Sequence, residues 1–297
     1  MADRAVGAFP AVVANSVVKA AKGAVAAQVV SFFNTRSRGA GRRPRGAQAQ
    51  QSTERWFSQD AVARRVHGDV TTMMVGGISG LLLQMLHPAV LAGVWDHSNF
   101  RADMHGRLRR TARFVAVTTY GSKADAEAAI ARVRGIHSHV RGVLPNGLPY
   151  AASDPSLLAW VHVAETTSFL RGWIRYGDPS MPEADQDRYF AEMAAIADAL
   201  GADPVPRSKS EARSLIEAIR PQLVCDARTR EVARLVLTQP APNWVAWPVQ
   251  ALGMQAAIDL LPPWAGRMHR LQNSPLSIPI VRTGTLGVAR VLRWALD

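Results

Sequence analysis

The chain has 297 residues, 48% apolar and 20% charged, which is long and apolar enough for a sizeable core and excludes both a disordered chain and a coiled rod. The single cysteine, Cys225, excludes an intramolecular disulfide, a cysteine-based zinc site, an iron–sulfur cluster and covalent c-type haem attachment. The net charge of +12 is concentrated in residues 1–65, which carry eleven Lys/Arg against three Asp/Glu, so the folded body is not expected to bind nucleic acid.

The first 53 residues form an N-terminal arm, and residues 54–297 are expected to fold as one domain. A helix is predicted over the Ala/Val-rich residues 5–33, and residues 34–53 have the Gly/Arg/Gln/Ser composition of a linker. Lys19 and Lys22 interrupt the apolar run, which makes it a poor export signal and favours a reducing, cytoplasmic location. Two interpretations of the arm stay open: a mobile tail, or peripheral membrane contact through residues 1–45.

Residues 70–95 contain no Asp, Glu, Lys or Arg, which on length alone would admit a membrane span. Pro88 should end this helix and leave about 18 residues, which fits a buried core helix. Its small residues at 76, 77, 79 and 80 allow a close approach by either a neighbouring helix or a flat ligand. Gly80 is assigned here to contact with such a ligand.

The rest of the chain has helical patterning with clear start and stop signals. Ser122 and Asp125 have the form of a capping box, and Asp154 followed by Pro155 supplies an N-cap and a first-turn proline. Because no window alternates with period two, no sheet is predicted and the fold class is all-α. Helices are predicted at 104–120, 122–141, 155–176, 182–200, 208–219, 226–238, 248–261 and 283–296.

The segment RVRGIHSHVRG contains the most informative histidine. At 3.6 residues per turn, His137 lies on one stripe with Ile130 and is expected to face the core, and Arg134 and Arg141 flank it one turn away on each side. A neutral imidazole between two guanidiniums suits a metal-bound anionic ligand, because the imidazole coordinates while the arginines hold carboxylates. By spacing alone, a core histidine beside two solvent-reaching arginines is the more common arrangement.

Two further clusters are candidate sites. Arg107, Arg110 and Thr111 share a helix face at i, i+3 and i+4. His162 and Glu165 at i, i+3 could bind a metal, which leaves metal-dependent hydrolysis as one alternative function, although a di-iron site would need carboxylates from other helices.

Three blocks in this order resemble the oxygenase MpaB / rubber oxygenase catalytic-domain family: LLLQMLHPAVLAGVWDHSNFRADMHGRLRRT, IHSHVRG and LPYAASDPSLLAWVHVAETTSFL. The resemblance covers residues 68–225 well and the remainder more loosely. It implies an all-α, globin-like multi-helix bundle around a haem pocket that holds non-covalent haem b. Within that family the latex clearing proteins cleave polyisoprene with O2.

The resemblance also implies roles for individual residues. An Arg-x-x-His-x-x-x-Arg motif of that group matches Arg134, His137 and Arg141, which makes His137 the proximal iron ligand. A second motif, Arg-x-x-Lys-Thr, matches Arg107, Arg110 and Thr111. Arg110 stands where the rubber-cleaving enzymes have a lysine that can ligate iron, and an arginine cannot ligate, although it can pair with a propionate. No counterpart of the glutamate that those enzymes use beside the haem is found.

The resulting hypothesis is a haem b-dependent oxidoreductase or oxygenase that uses O2 or peroxide on a small, apolar, unidentified substrate. Arg110 and Thr111 are the expected catalytic residues. The expected cofactor-binding residues are His137, Arg134, Arg141, Arg107, Gly80 and His162. The alternative from another class is a non-catalytic helical scaffold that associates with a membrane surface through its N-terminal arm.

Overall fold

A computed structural model describes residues 54–241, 243–244 and 246–296. The predicted arm, and with it the proposed membrane contact, lies outside these residues. The described residues form twelve α-helices and two short strands, which confirms the all-α class. The first six helices are α1 (Val62–His67), α2 (Val70–Gln84), α3 (Pro88–His97), α4 (Met104–Tyr120), α5 (Lys123–His137) and α6 (Pro155–Tyr176). The others are α7 (Glu183–Leu200), α8 (Lys209–Ile219), α9 (Ala227–Leu237), α10 (Trp247–Leu260), α11 (Pro263–His269) and α12 (Ile278–Leu296).

The two strands were not predicted. β1 (Arg141–Val143) and β2 (Pro149–Ala151) pair antiparallel in a hairpin between α5 and α6. Each is only three residues long, too short for the alternation of apolar and polar side chains to stand out in the sequence.

Helix α2 is the buried centre of the fold and packs most extensively against α6. The two backbones approach closely at glycines: a Cβ on Gly76 would lie 2.9 Å from the Cα of Phe169, and one on Gly172 would lie 2.9 Å from the carbonyl oxygen of Thr72. Helices α10 and α12 cover another side of α2. The small residues of α2 at these contacts therefore serve helix packing, one of the two neighbours that their pattern allowed.

The prediction that the first helix ends before Pro88 is confirmed, although it has 15 residues and a second helix, which was not predicted, begins at Pro88. Helix α2 ends at Gln84, and α3 begins at Pro88 with His87 as its N-cap, whose Nδ1 accepts a hydrogen bond from the amide of Ala89 (3.3 Å). The carbonyl groups freed at the end of α2 are satisfied from elsewhere in the chain, because His269 Nε2 donates to Leu82 (2.8 Å) and Trp160 Nε1 donates to Gln84 (3.1 Å). Hydrogen bonds from other parts of the chain thus stabilise the break between α2 and α3.

Within the described residues, no single helix is long and apolar enough to cross a membrane. Helices α2 and α3 together pass a test of length and composition, but they are bent by 103° at the break between them. Most of α2 is buried inside the protein, as predicted for a core helix.

The remaining helices surround this centre and place the candidate site. Helix α4 packs on α5, α5 packs on α7, and α6 packs on α7 and α8. The predicted start of α6 is confirmed, since Asp154 accepts a hydrogen bond from the amide of Ser156 and Pro155 occupies the first turn. α7 ends, as predicted, at Gly201, which has a left-handed conformation (φ 93°).

Candidate functional site

His137 is the last residue of α5. The helix begins at Ser122, whose side chain accepts a hydrogen bond from the amide of Asp125 (3.1 Å). Ile130 is buried and His137 is partly buried, so the predicted stripe is present, although the imidazole lies at the edge of the core. Burial lowers the pKa of His137, and its ring makes no hydrogen bond to a described residue. The imidazole is therefore neutral at pH 7 and its nitrogens are available.

The sequence predicted that the two arginines flank His137 on one helix, and this prediction is wrong. Because α5 ends at His137 and not at Arg141, Arg141 lies in β1, where its exposed guanidinium donates to the carbonyl of Ser138 (3.2 Å). Ser138 Oγ donates to the carbonyl of Gly135 (2.9 Å), and this side-chain bond satisfies part of the last helical turn. Arg134 is exposed and donates to the carbonyl of Ala199 near the end of α7 (3.2 Å).

Arg107 is a partly buried cation whose charge is not paired by a hydrogen-bonded carboxylate. It lies on α4, which Asp103 caps by accepting a hydrogen bond from the amide of Gly106 (2.7 Å). Its guanidinium donates to Ser98 Oγ (3.3 Å), and no carboxylate of the described residues lies within 4 Å of it. Burial, followed by the nearby charge of Arg110, lowers the pKa of Arg107, while Glu165 acts in the opposite direction.

The other two residues of the α4 cluster are exposed. Arg110 forms an ion pair with Asp103 (3.4 Å), and Thr111 Oγ1 donates to the carbonyl of Arg107 (3.3 Å). Thr111 lies on the same face of α4 as Met104 and Val115, which are buried. The core-facing stripe of α4 is thus open to solvent at the level of Thr111.

His162 and Glu165 lie on consecutive turns of α6, and neither finds a hydrogen-bond partner among the described residues. The Nε2 atom of His162 is buried and unpartnered, and burial lowers the pKa of this histidine to about 4. Burial raises the pKa of Glu165 to about 7, against the opposing effect of Arg107. Glu165 keeps part of its surface accessible, yet protein atoms surround its carboxyl group closely enough to favour the protonated form.

Glu165 is the carboxylate that acts electrostatically on Arg107. It comes from α6, since residues 70–95 have no Asp or Glu. The His-x-x-Glu spacing was visible in the sequence, but nothing local connects it with Arg107 on α4.

The structure corrects the assignment of Gly80 to a flat ligand. A Cβ at this position would lie 3.3 Å from the Cα of Glu165 and 3.4 Å from the Cβ of Ser168, so α6 already covers this face of α2. Gly80 therefore belongs to a helix–helix contact.

Helices α4, α5, α6 and α7 bring several of these residues together. Arg107 of α4 and Glu165 of α6 interact electrostatically, and the charge of Asp198 on α7 raises the pKa of His162 against the effect of burial. Arg134 contacts Ala199, the next residue of α7. The side chain of Arg134 therefore reaches the C-terminal end of α7, and the charge of Asp198 in that turn acts on His162, whereas Arg110, Thr111 and Arg141 are exposed.

A surface cavity of about 340 Å³ adjoins this region on the α5 side. Arg134 and Ala199 contribute to its lining, together with Trp56, Glu127, Ile130 and Ala131. Within the described part of the chain, no cluster of three or more His, Cys, Asp or Glu side chains could hold a metal ion by itself. A metal at His162 and Glu165 would have only these two protein ligands among the described residues, whereas a porphyrin brings four nitrogen ligands of its own and needs only an axial one from the protein.

The comparisons with known proteins identify one family. The model of the family described as "ER-bound oxygenase mpaB/B'/Rubber oxygenase, catalytic domain" matches residues 64–294. Comparison with curated proteins and with solved structures found no match.

Proposed function

Since the chain belongs to the ER-bound oxygenase mpaB/B'/rubber oxygenase catalytic-domain family, we propose that it is a haem b-dependent oxygenase with its cofactor among α4, α5, α6 and α7. The family is an oxygenase catalytic domain, so the chain is an enzyme of the oxygenase class that acts on a small molecule with O2. The proposal adds three points to this: the cofactor is haem b, a residue of this chain ligates its iron, and the substrate is apolar.

The proposal rests mainly on the environment of the Arg107 guanidinium. It is partly removed from water and donates to only one neutral hydroxyl, with no carboxylate of the described residues within 4 Å, so a group that supplies negative charge would stabilise it. A haem propionate has that charge and the planar oxygen pair that an arginine binds well. Arg134 and Arg141, on the other side of His137, could hold the second propionate by reorienting exposed side chains.

The nitrogen chemistry of the site fits an iron porphyrin. His137 presents a neutral imidazole without a protein partner, and the buried Nε2 of His162 and Oγ1 of Thr167 are also unpartnered. Buried polar atoms without partners are uncommon in folded proteins, and these two lie on neighbouring turns of α6. We assign His137 as the proximal ligand, because it terminates a helix and its ring can reorient toward a bound macrocycle.

When bound, haem b supplies the iron that reacts with O2 or peroxide. The protein's part is to hold charge and protons around it. Burial raises the pKa of Glu165 to about 7, so its carboxyl group can give or accept a proton in the neutral range. Arg110 and Thr111 lie where α4 opens to solvent, and Arg110 provides a fixed positive charge there.

Reconstitution of the full chain with haemin tests the proposal. We expect wild-type protein to bind one haem and show a Soret band, and His137→Ala to lose it. The matched control is His139→Ala, which removes an exposed histidine two residues further on and should leave the spectrum unchanged. Arg107→Met should weaken haem binding more than Arg113→Met, which removes an exposed arginine of the same helix. Wild-type protein that stays colourless with excess haemin would refute the proposal.

The non-catalytic scaffold has no observation in its favour. Family membership identifies an oxygenase catalytic domain. Residues 1–45, on which the membrane contact of that alternative depends, lie outside the described residues.

A further inference from the structure

The exposed apolar side chains of the described residues are concentrated in the last two long helices and the segments that lead into them. Thirteen large apolar side chains are exposed, and eight of them lie within residues 244–296. Such a concentration is unusual on a protein surface that contacts only water, and it is typical of a surface that meets a partner. Six of these residues define what we call the α10–α12 surface: Trp244, Trp247, Val249, Leu276, Ile280 and Val291.

Helices α10 and α12 bring these side chains to one side of the protein. They pack against each other and cover the same side of α2, so the sides that point away from α2 form one surface. The two helices are in close contact, because a Cβ on Gly284 would lie 3.0 Å from the side chain of Leu252. At 100° per residue, Ile280 and Val291 of α12 point in directions about 20° apart, away from the buried Thr285.

The first turn of α10 protrudes from the fold. Trp247, Pro248 and Val249 are consecutive residues of this helix, and all three are exposed. Consecutive helical residues point about 100° apart, so a turn that exposes three of them stands clear of its neighbours. Trp244, three residues before Trp247, is 86% exposed. This end of the surface is therefore a projecting apolar turn, a shape that can insert into the boundary layer of a bilayer.

The charge around the α10–α12 surface favours an anionic partner. Residues 246–296 contain five arginines and a single acidic residue, Asp259. The side chain of Asp259 is only 5% exposed and is paired with Arg175 (2.6 Å) and Arg282 (2.8 Å), so little negative charge reaches the surface. A second copy of this chain would bring the same positive charge against it, and so would residues 1–53, with eight Lys/Arg and one Asp. The other exposed arginines of this part are Arg267, Arg270 and Arg290.

We propose that the α10–α12 surface docks on an anionic phospholipid bilayer as a peripheral contact. Its apolar side chains lie at the boundary between head groups and acyl chains, and its arginines bind lipid phosphates. Tryptophan favours this boundary, because its ring is apolar and its N–H can donate to a head group. Arginines near the bilayer surface add attraction for anionic lipids. The contact requires no cofactor, so it stands or fails independently of the proposed function.

Sedimentation of the full chain with lipid vesicles tests this inference. We expect the wild type to bind vesicles of phosphatidylcholine and phosphatidylserine more tightly than vesicles of phosphatidylcholine alone. Trp247→Ser combined with Ile280→Ser should weaken binding to the anionic vesicles by about tenfold or more, because two apolar side chains no longer leave water. The matched control combines Val143→Ser with Leu148→Ser, at similarly exposed positions in and beside the β-hairpin, and should bind as the wild type does. All variants keep residues 1–53, so a loss of binding reports on the α10–α12 surface.

Two further measurements examine the charge and the depth of the contact. Arg267→Gln combined with Arg290→Gln should weaken binding to the anionic vesicles by about tenfold and leave binding to the neutral ones unchanged. Bromine-labelled lipid should quench the tryptophan fluorescence of the wild type more strongly than that of Trp247→Phe, which keeps an aromatic ring. Circular dichroism checks that each variant is folded.

Several outcomes would overturn the inference. They are a wild type that does not sediment with vesicles, one that binds both kinds of vesicle equally, and a double serine variant that binds as tightly as the wild type. A wild type that is dimeric without lipid in analytical ultracentrifugation, while the double serine variant is monomeric, would assign the surface to a second copy of the chain instead.

Discussion

Replacing Glu165 with glutamine should change how the stability of the haem-free protein depends on pH. Burial raises the pKa of this carboxyl group from its ordinary value of 4.5 to about 7 in the folded protein. A carboxyl group with a raised folded-state pKa stabilises the fold most when it is protonated. Its contribution is fully present below pH 4.5 and is lost as the pH rises toward 7. At 1.36 kcal/mol per pKa unit, the whole interval corresponds to about 3 kcal/mol.

The measurement is the free energy of unfolding in urea, together with the melting temperature, at several values between pH 5 and pH 8. The wild-type curve alone is not informative, because His67 and His162, with pKa values lowered to about 3 and about 4, favour the folded state increasingly as the pH rises. The difference between Glu165→Gln and wild type isolates the carboxyl group. Glu217→Gln, at an exposed glutamate of α8, is the control for removal of a charge.

We expect Glu165→Gln to gain stability relative to wild type by roughly 2–3 kcal/mol between pH 5 and pH 8, because part of the effect is already present at pH 5. For a domain of this size the gain corresponds to about 5–10 °C in melting temperature. A difference that stays constant within about 0.5 kcal/mol over this range would refute the burial argument for Glu165.

Two further predictions concern the helices that position the site. Arg293→Met removes the ion pair with Asp69 (2.5 Å), whose side chain is only 5% exposed, and should lower the free energy of unfolding in urea by about 2–3 kcal/mol. The control Arg290→Met removes an exposed arginine and should change the free energy of unfolding by no more than about 0.5 kcal/mol. Equal effects of the two substitutions would contradict the prediction. Gly76→Ala places a Cβ at 2.9 Å from the backbone of α6 and should lower the free energy of unfolding, measured by thermal unfolding, by about 1–3 kcal/mol. Gly253→Ala, where a Cβ would have no atom within 4 Å, should stabilise α10 by up to about 1 kcal/mol. A Gly76→Ala variant as stable as the wild type would disprove the close approach of the two helices.

The helices were predictable because their signals are local. The capping by Asp154 and Pro155 gave the start of α6, and the periodic pattern with a following glycine gave its end. Short elements were missed, among them α1, α11 and the hairpin that includes Arg141. Each is too short for a repeating pattern, and contacts with the rest of the chain stabilise it.

For the candidate site, too, some features follow from local sequence and others only from the packing of the helices. That His137 shares a stripe with Ile130 follows from helical spacing, and the structure agrees. The turn at Ser138 moves Arg141 from the helix to a strand, a result of side-chain bonds to the last carbonyl groups of α5 that spacing does not reveal. For Gly80, spacing allowed a helix or a ligand as the neighbour, and the packing of α6 decides for the helix.

The sequence by itself determined the all-α class, most helix boundaries, the family and the residue types of the site, because periodicity, capping and motif order act over a few residues. Only the tertiary structure decided which polar groups are desolvated and which partners they have. The charge of Arg107, the unpartnered nitrogen of His162 and the raised pKa of Glu165 depend on how α4, α6 and α7 enclose them. Desolvation depends on the atoms that surround a group in space, and these come from helices far apart in the chain.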